Sequence, residues 1–405
     1  MSQMRSASPC RLVDVGVVCA LGSGIRQIWP RLAAGDGSGL VERDLGAGPR
    51  LFGVVSAPLP PIEAGLGELD CRNNRIALLV LRQIDEQIAS ARRRFGADRL
   101  AVVVGTSTSG LSDAEQAFAA RRESGALPEH FALGQLEQGG LADFVARTTG
   151  ARGHAYTLST ACSSGAKAMA AARSLLALDA CDAVITGGVD SLCRLTAQGF
   201  AALQAIARGR SNPMSRNRDG LNLGEGGALF LMTRDAGGIQ LLGSGESSDA
   251  HHMSAPEPGG SGMAACMRSA LEDAGLAPEQ IGYLNLHGTG TPHNDASEAR
   301  AVAEVLGLGV PCSSTKPLVG HALGASGALE AAFCWMMLAH GDVAGSPIPP
   351  HRWDGAADLE LPQIALAREH DRVAGPAVVM SNSFGFGGSN SSLVLGGDET
   401  ACERP

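Results

Sequence analysis

Aromatic residues are scarce in this 405-residue chain: ten Phe, three Trp and two Tyr make up 4% of it. A densely packed interior must therefore be filled by small and aliphatic side chains, and the 54 glycines let backbones approach closely. A positive charge balance is missing too. Against 41 Asp and Glu stand 32 Lys and Arg, a formal charge of −9, which excludes a general nucleic-acid binder but allows a local basic patch for an acidic partner. The ten cysteines show no C-x-x-C and no repeated spacing. That excludes a disulfide framework or zinc ribbon and points to a reducing compartment, the cytoplasm. No His/Cys cluster has the spacing of a metal site. No apolar run is long enough to cross a bilayer, which argues against membrane insertion. Arg5 and Arg11, ahead of the apolar stretch 13–20, mimic a signal peptide only weakly. Asp14 interrupts that stretch and no cleavage-type end follows, so a first strand is the better reading.

What is present is an alternation of strand-like and helix-like runs in a chain 44% hydrophobic and 18% charged, a globular composition. Strands are expected over 11–21, 100–105, 183–188 and 228–232, and helices over 25–34, 75–95 and 166–178. The run 58–69 is Pro/Gly-rich and reads as a loop. Residues 100–105 are apolar without alternation, as in a strand buried on both faces of a parallel sheet. A composition break at 233–238 divides the chain into halves, 1–235 and 236–405. In the second half, strands are expected over 239–242, 281–286, 310–314, 377–381 and 393–395, and helices over 262–274, 295–306 and 324–340. The class is α/β with largely parallel sheets. Both halves show a similar order of elements, without a residue-level repeat.

The chemistry gathers first at 157–167, Thr-Leu-Ser-Thr-Ala-Cys-Ser-Ser-Gly-Ala-Lys. A strand-like run meets a small-residue turn and then an Ala/Leu helix, with Cys162 at the join. The positive end of a helix dipole favours thiolate over thiol there. This is the logic of a nucleophile elbow with sulfur in place of oxygen. The competing reading is a small buried hydrophobe. His287 ends a strand in His-Gly-Thr-Gly-Thr-Pro, and His321 precedes the apolar helix in Lys316-Pro-Leu-Val-Gly-His321. Strand ends and helix starts are where α/β proteins place active sites. Neutral imidazoles there can donate to an oxyanion or take a proton, while the alternative is a hydrogen-bonded structural histidine. His251 and His252 lack such a setting. Glu330 lies within the apolar helix and needs a partner, for which Lys316 is the nearest candidate in sequence. The glycine loop 384–388 carries Phe384 and Phe386, offering a backbone N–H and a gating ring.

Assembled, these residues make the chain similar to the β-ketoacyl-acyl-carrier-protein synthases, the type I/II ketosynthases of the thiolase superfamily. The likeness covers nearly the whole chain. It rests on 160–164, 287–292, Lys316 with Gly320 and His321, Glu330, and the loop 382–390. It implies a duplicated thiolase-like fold of five layers, αβαβα, and no metal or organic cofactor. It implies acyl carrier protein as partner, and a homodimer or a heterodimer with a related ketosynthase-like subunit. Cys162 would carry the acyl chain as a thioester. His287 and His321 would bind the malonyl thioester carbonyl and promote loss of carbon dioxide, with Lys316 and Glu330 holding the site together. Backbone N–H groups of Cys162 and Phe386 would form the oxyanion hole, and Phe386 would gate malonyl access. Neutral donors aimed at an oxygen that becomes an enolate stabilise charge that exists only in the transition state. The implied reaction is a decarboxylating Claisen condensation in fatty-acid, polyene or polyketide elongation.

In such enzymes the loop at 106–110 lies near the far end of the acyl pocket, often the partner subunit's. Here it is Thr-Ser-Thr-Ser-Gly, more polar than in ordinary fatty-acid elongation. Thr108 is thus assigned to the acyl pocket, and an unusual chain such as a polyene or polyketide intermediate is expected. Arg72, Arg75, Arg208 and Arg210 are candidate carrier-protein contacts, solvated surface arginines being the alternative. A degradative thiolase would carry a second cysteine in the last glycine loop, which has none. A non-catalytic chain-length partner would lack Cys162. Ser164 to Lys167 fits S-x-x-K, but no K-T-G accompanies it.

Overall fold

Residues 100–105 are apolar throughout because both faces of that strand are covered. The computed structural model describes residues 10–341, 345–373 and 377–397. Its first half builds a five-stranded set: β1 (Cys10–Cys19), β2 (Leu100–Gly105), β3 (Ala155–Leu158), β4 (Ala183–Asp190) and β5 (Gly226–Thr233). The order is β1-β5-β4-β2-β3. β2 is parallel to β3 and β4, and β5 runs antiparallel between β4 and β1. The second half repeats it with β6 (Ile239–Ser248), β7 (Tyr283–Asn285), β8 (Cys312–Ser313), β9 (Val378–Gly385) and β10 (Ser389–Gly397). Its order, β6-β10-β9-β7-β8, has the same parallel and antiparallel neighbours. Cys10 and Arg11 of β1 pair with Leu241 and Gln240 of β6, joining the two sets.

The sheets are more mixed than their apolar runs suggest, because β5 and β10 each run against both neighbours. For β10 the cause is the three-residue turn Phe386–Gly388, since so short a link permits only an antiparallel return. The expected single helix over 75–95 is two helices. The first is α1 (Arg72–Leu81), and Asp85–Phe95 follows a non-helical Ile84. Between them Gln83 turns aside to bond the backbone of Val17, accepting from its N–H at 2.9 Å and donating to its carbonyl at 3.1 Å. The stretch read as a loop over 58–69 ends in a 3₁₀ turn, Ala64–Leu69.

α1 and α2 (Gly140–Thr149) cover the outer face of the first sheet, where Ile76, Val80 and Phe144 meet Val102, Val104 and Leu229. Val103 and Phe230 point the other way, into the central layer. That layer is α3 (Ser164–Ala177) and α6 (Ser326–Ala339), which pack against both sheets. α4 (Ser261–Ala274) and α5 (Pro292–Val305) cover the outer face of the second sheet. The layers therefore read αβαβα. The central helices cross on small residues: a Cβ at Gly165 would lie 3.0 Å from Ala328 Cβ, and one at Gly327 would lie 2.8 Å from Ala166 Cβ. This close crossing brings the N-terminal ends of α3 and α6 together. Cys162 precedes the first and His321 the second.

Candidate active site

The turn between β3 and α3 is held by hydroxyls. Thr160 N–H donates to Ser164 Oγ at 2.9 Å, Ser164 Oγ donates to Ala161 O at 2.6 Å, and Ser163 Oγ donates to Thr160 O at 2.8 Å. Ala161 takes a left-handed φ of 52°, a strained position for a residue with a Cβ and one that projects the next side chain. Cys162 is buried, and burial pushes its thiol up to about 11. The Lys316 charge and backbone N–H groups of Phe386 and Cys162 pull the other way without prevailing. Burial therefore works against the thiolate that a helix start favours.

His321 Nε2 lies 3.0 Å from Cys162 Sγ, and its Nδ1 lies 2.7 Å from Ser326 Oγ. The Ser326 hydroxyl can donate or accept, so either tautomer of His321 is supported. The His287 ring stands 5.4 Å from that of His321 at 84°. Lys316 Nζ lies 3.3 Å from His287 Nδ1, donates to His287 O at 2.5 Å, and forms an ion pair with Glu330. An ammonium has no lone pair, so Nδ1 of His287 accepts and Nε2 keeps the proton. Burial first, and then the Lys316 charge, hold both histidines well below their ordinary pKa and hence neutral. Burial raises Glu330 to about 7 against the pull of Lys316. Lys316 is one of only two lysines in the chain.

Two carboxylates on α5, not picked out from the sequence, shape the His287 turn. Glu298 accepts from the N–H groups of His287 and Gly288 at 2.7 Å each, and Asp295 accepts from Gly290 N–H at 3.2 Å. Burial raises Glu298 to about 7. Their signal was available: two acids three residues apart, and so on one helix face, directly after a glycine turn.

Cys162, His287 and His321 share one cavity of about 430 Å³ with Phe200, Phe384 and Phe386. Phe386 is partly exposed and stacks on Phe200 at 5.3 Å. Its turn is tied down where Gly387 N–H donates to Met253 O at 2.9 Å. The other sequence candidates lie apart. Thr108 does not line this cavity, and its Oγ1 donates to Asp190 at 2.8 Å. Arg72 forms an ion pair with the buried Glu225, Arg75 pairs with Asp70, and Arg210 donates to Gly37 O and Pro317 O. Arg208 extends into solvent, 93% exposed, with Asp219 at 4.0 Å.

A duplicated αβαβα fold, with a cysteine elbow facing two histidines across the central helices, defines the condensing enzymes of the thiolase superfamily. Residues 72–236 match the N-terminal domain, and residues 239–347 the C-terminal domain, of beta-ketoacyl synthase. The chain belongs to the β-ketoacyl synthase family. It is similar to 3-oxoacyl-acyl-carrier-protein synthase 2 of Coxiella burnetii, with 32% identity over 95% of this chain and 97% of the relative. Among solved structures it is similar to the ketosynthase ApeO from Xenorhabdus doucetiae, determined in complex with its chain length factor ApeC. There the TM-score is 0.91 and the identity 40%, over 98% of this chain and 100% of that one. The ishigamide ketosynthase/chain length factor matches with a TM-score of 0.86 at 25% identity, over 96% and 99%. No helix among the described residues is long and apolar enough to cross a membrane.

Proposed function

We propose that this chain joins a Cys162-bound acyl group to malonyl-acyl carrier protein with loss of carbon dioxide, giving β-ketoacyl-acyl carrier protein. The observation that carries the reading is the 3.0 Å contact of His321 Nε2 with Cys162 Sγ, with His287 facing the same cavity. In the first step the thiol proton passes to His321 Nε2 as sulfur attacks the acyl thioester. The carrier leaves as thiolate and takes that proton. The N–H groups of Cys162 and Phe386 receive the charge on the acyl oxygen. Before the second step the single ring proton of His321 exchanges through water from Nδ1 to Nε2, Ser326 Oγ turning from acceptor to donor at Nδ1, and His287 Nε2–H and His321 Nε2–H then donate to the malonyl thioester oxygen. The C–C bond to the carboxylate breaks, carbon dioxide departs, and the enolate attacks the Cys162 thioester. Cys162 is released as thiolate and takes a proton from water. Because His287 and His321 are neutral, their donation creates no charge in the ground state and is strongest when the enolate forms.

The acyl chain is a polyene or polyketide intermediate, and the chain works in the cytoplasm as the cysteine-bearing subunit beside a ketosynthase-like chain-length partner. Support comes from full-length likeness at 40% identity to a ketosynthase solved with its chain length factor. Eight buried cysteines with free thiols, Cys19, Cys71 and Cys181 among them, suit a reducing compartment. Loop polarity no longer supports the unusual chain, since Thr106 and Thr108 both donate to Asp190. Saturated fatty-acid elongation is the second reading, favoured by the curated relative in Coxiella burnetii. The deciding experiment offers the purified protein, alone and with a co-expressed partner, a panel of saturated and unsaturated acyl-carrier thioesters. Mass spectrometry should find the adduct on Cys162 and the unsaturated chains elongated. An adduct on another residue, or none, ends the condensing reading, and preference for saturated chains ends the polyene one.

A further inference from the structure

The chemistry above gives no part to the buried carboxylate of Asp190. Asp190 closes β4, is fully buried, and its hydrogen-bond partners among the described residues are all uncharged. Its Oδ1 accepts from Thr106 Oγ1 at 2.6 Å and from Ser107 N–H, Thr108 N–H and Thr108 Oγ1 at 2.8 Å each. Its Oδ2 accepts from Ser107 N–H at 3.0 Å and Ala325 N–H at 3.2 Å. So many donors offset part of the cost of burying the charge, although burial still holds the carboxyl above its ordinary value.

These donors come from both sides of the reacting pair. Ala325 belongs to the turn Leu323–Ala325, between His321 and the Ser326 that bonds His321 Nδ1. Ser107 Oγ donates at 3.4 Å to the carbonyl of Ala161, the strained residue ahead of Cys162. The fit is close, since a Cβ at Gly324 would lie 2.8 Å from Asp190 Oδ2 and 2.6 Å from Ser107 Oγ. One carboxylate thus ties the elbow to the histidine turn.

We infer that Asp190 is a positioning residue that sets the approach of His321 to Cys162, and that the hydroxyls of Thr106 and Thr108 serve this carboxylate. The inference rests on the condensing role proposed above. Asp190→Asn places an amide N–H₂ or a weaker acceptor among donors and loosens the turn that carries Ser326. Condensation kcat should fall about tenfold or more, as expected for a small displacement of reacting groups, while KM for malonyl-acyl carrier protein stays within about twofold. Asp273→Asn supplies the comparison, because it disturbs the buried Arg173 ion pair on the far side of α3. That variant should lose melting temperature and keep kcat. If Asp190→Asn does not fold, Thr106→Val and Thr108→Val each remove one donor and should give smaller kcat losses at near-normal KM. The idea is overturned if folded Asp190→Asn keeps wild-type kcat, if its loss matches that of Asp273→Asn at equal melting temperature, or if both valine variants keep kcat. Iodoacetamide labelling of Cys162 without any substrate separates this idea from the proposed reaction. An altered rate in Asp190→Asn supports the positioning role even where no acyl chain is loaded, and an unaltered rate counts against it.

Discussion

The two halves share one strand order, yet the segment between third strand and central helix spans residues 159–163 in the first and 314–325 in the second. The short version can do little but turn, and it presents a single sulfur. The long version has room for a one-turn helix bearing Lys316, for His321, and for the turn that leads into Ser326. A second pair of segments makes the same point. The loop after β2 carries hydroxyls bound to Asp190, and the loop after β7 carries His287 with its backbone bound to Glu298. Each half buries a carboxylate beneath that loop, but only the second mounts an imidazole on it. Duplication therefore supplied two equivalent scaffolds, and divergence gave the nucleophile to one and the proton and hydrogen-bond chemistry to the other.

The largest expected effect tests that division directly. Cys162→Ala should abolish both acyl loading and carbon–carbon bond formation. His287→Ala should leave loading near normal and cut condensation about a hundredfold to a thousandfold, the usual loss for one oxyanion donor. Adduct mass and product formation, read on the same samples, decide it. Loss of loading in His287→Ala would erase the boundary between the halves.

Next in size is the ion pair peculiar to the second half. Lys316 and Glu330 are both buried, so Glu330→Gln leaves an ammonium without its counter-charge and should cost about 3 kcal/mol of stability. Urea unfolding measures it. A cost below about 1 kcal/mol would mean that the cavity solvates Lys316 as well as Glu330 does.

A third test concerns the sulfur. With its thiol pushed up to about 11 by burial, less than one molecule in a hundred carries thiolate at neutral pH, and the thiolate is the reactive form. Iodoacetamide labelling of Cys162 should accelerate about tenfold per pH unit through neutrality, with no plateau below about pH 10. In denaturant the plateau should move down toward the ordinary thiol value. A plateau near pH 7 in the folded protein would show the helix dipole overcoming burial after all.

These effects also mark what the chain's own residues reveal. The strand at 100–105 and the helix near 262–274 were legible because local periodicity and burial agree along them. Cys162, His287, His321 and the Lys316–Glu330 pair were legible because each sits in a short, chemically unusual segment. The antiparallel sense of β5 was not, since a buried antiparallel strand is as uniformly apolar as a parallel one. Nor was the break at 82–84, which depends on Gln83 meeting Val17, 66 residues away. The thiol illustrates the same gap. A helix start can be read from spacing, but the desolvation that decides the pKa comes from residues folded over it.

The smallest effect separates two arginines that look alike in sequence. Arg72 donates to both oxygens of Glu225, whose side chain is almost wholly buried and also accepts from Val55 and Leu192 N–H. Its removal should act through stability, because a buried carboxylate loses its cation. Arg208 projects into water with a distant Asp219 as its only ion-pair partner among the described residues. A carrier protein is acidic, so Arg208→Ala should raise KM for the carrier about twofold to threefold at low salt, fade as ionic strength rises, and leave melting temperature alone. Arg72→Ala should do the reverse, lowering melting temperature while the salt dependence of KM stays as in wild type. Salt-dependent KM loss in Arg72→Ala, or none in Arg208→Ala, would move the carrier's footprint away from the exposed arginine and onto the α1 end of the first half.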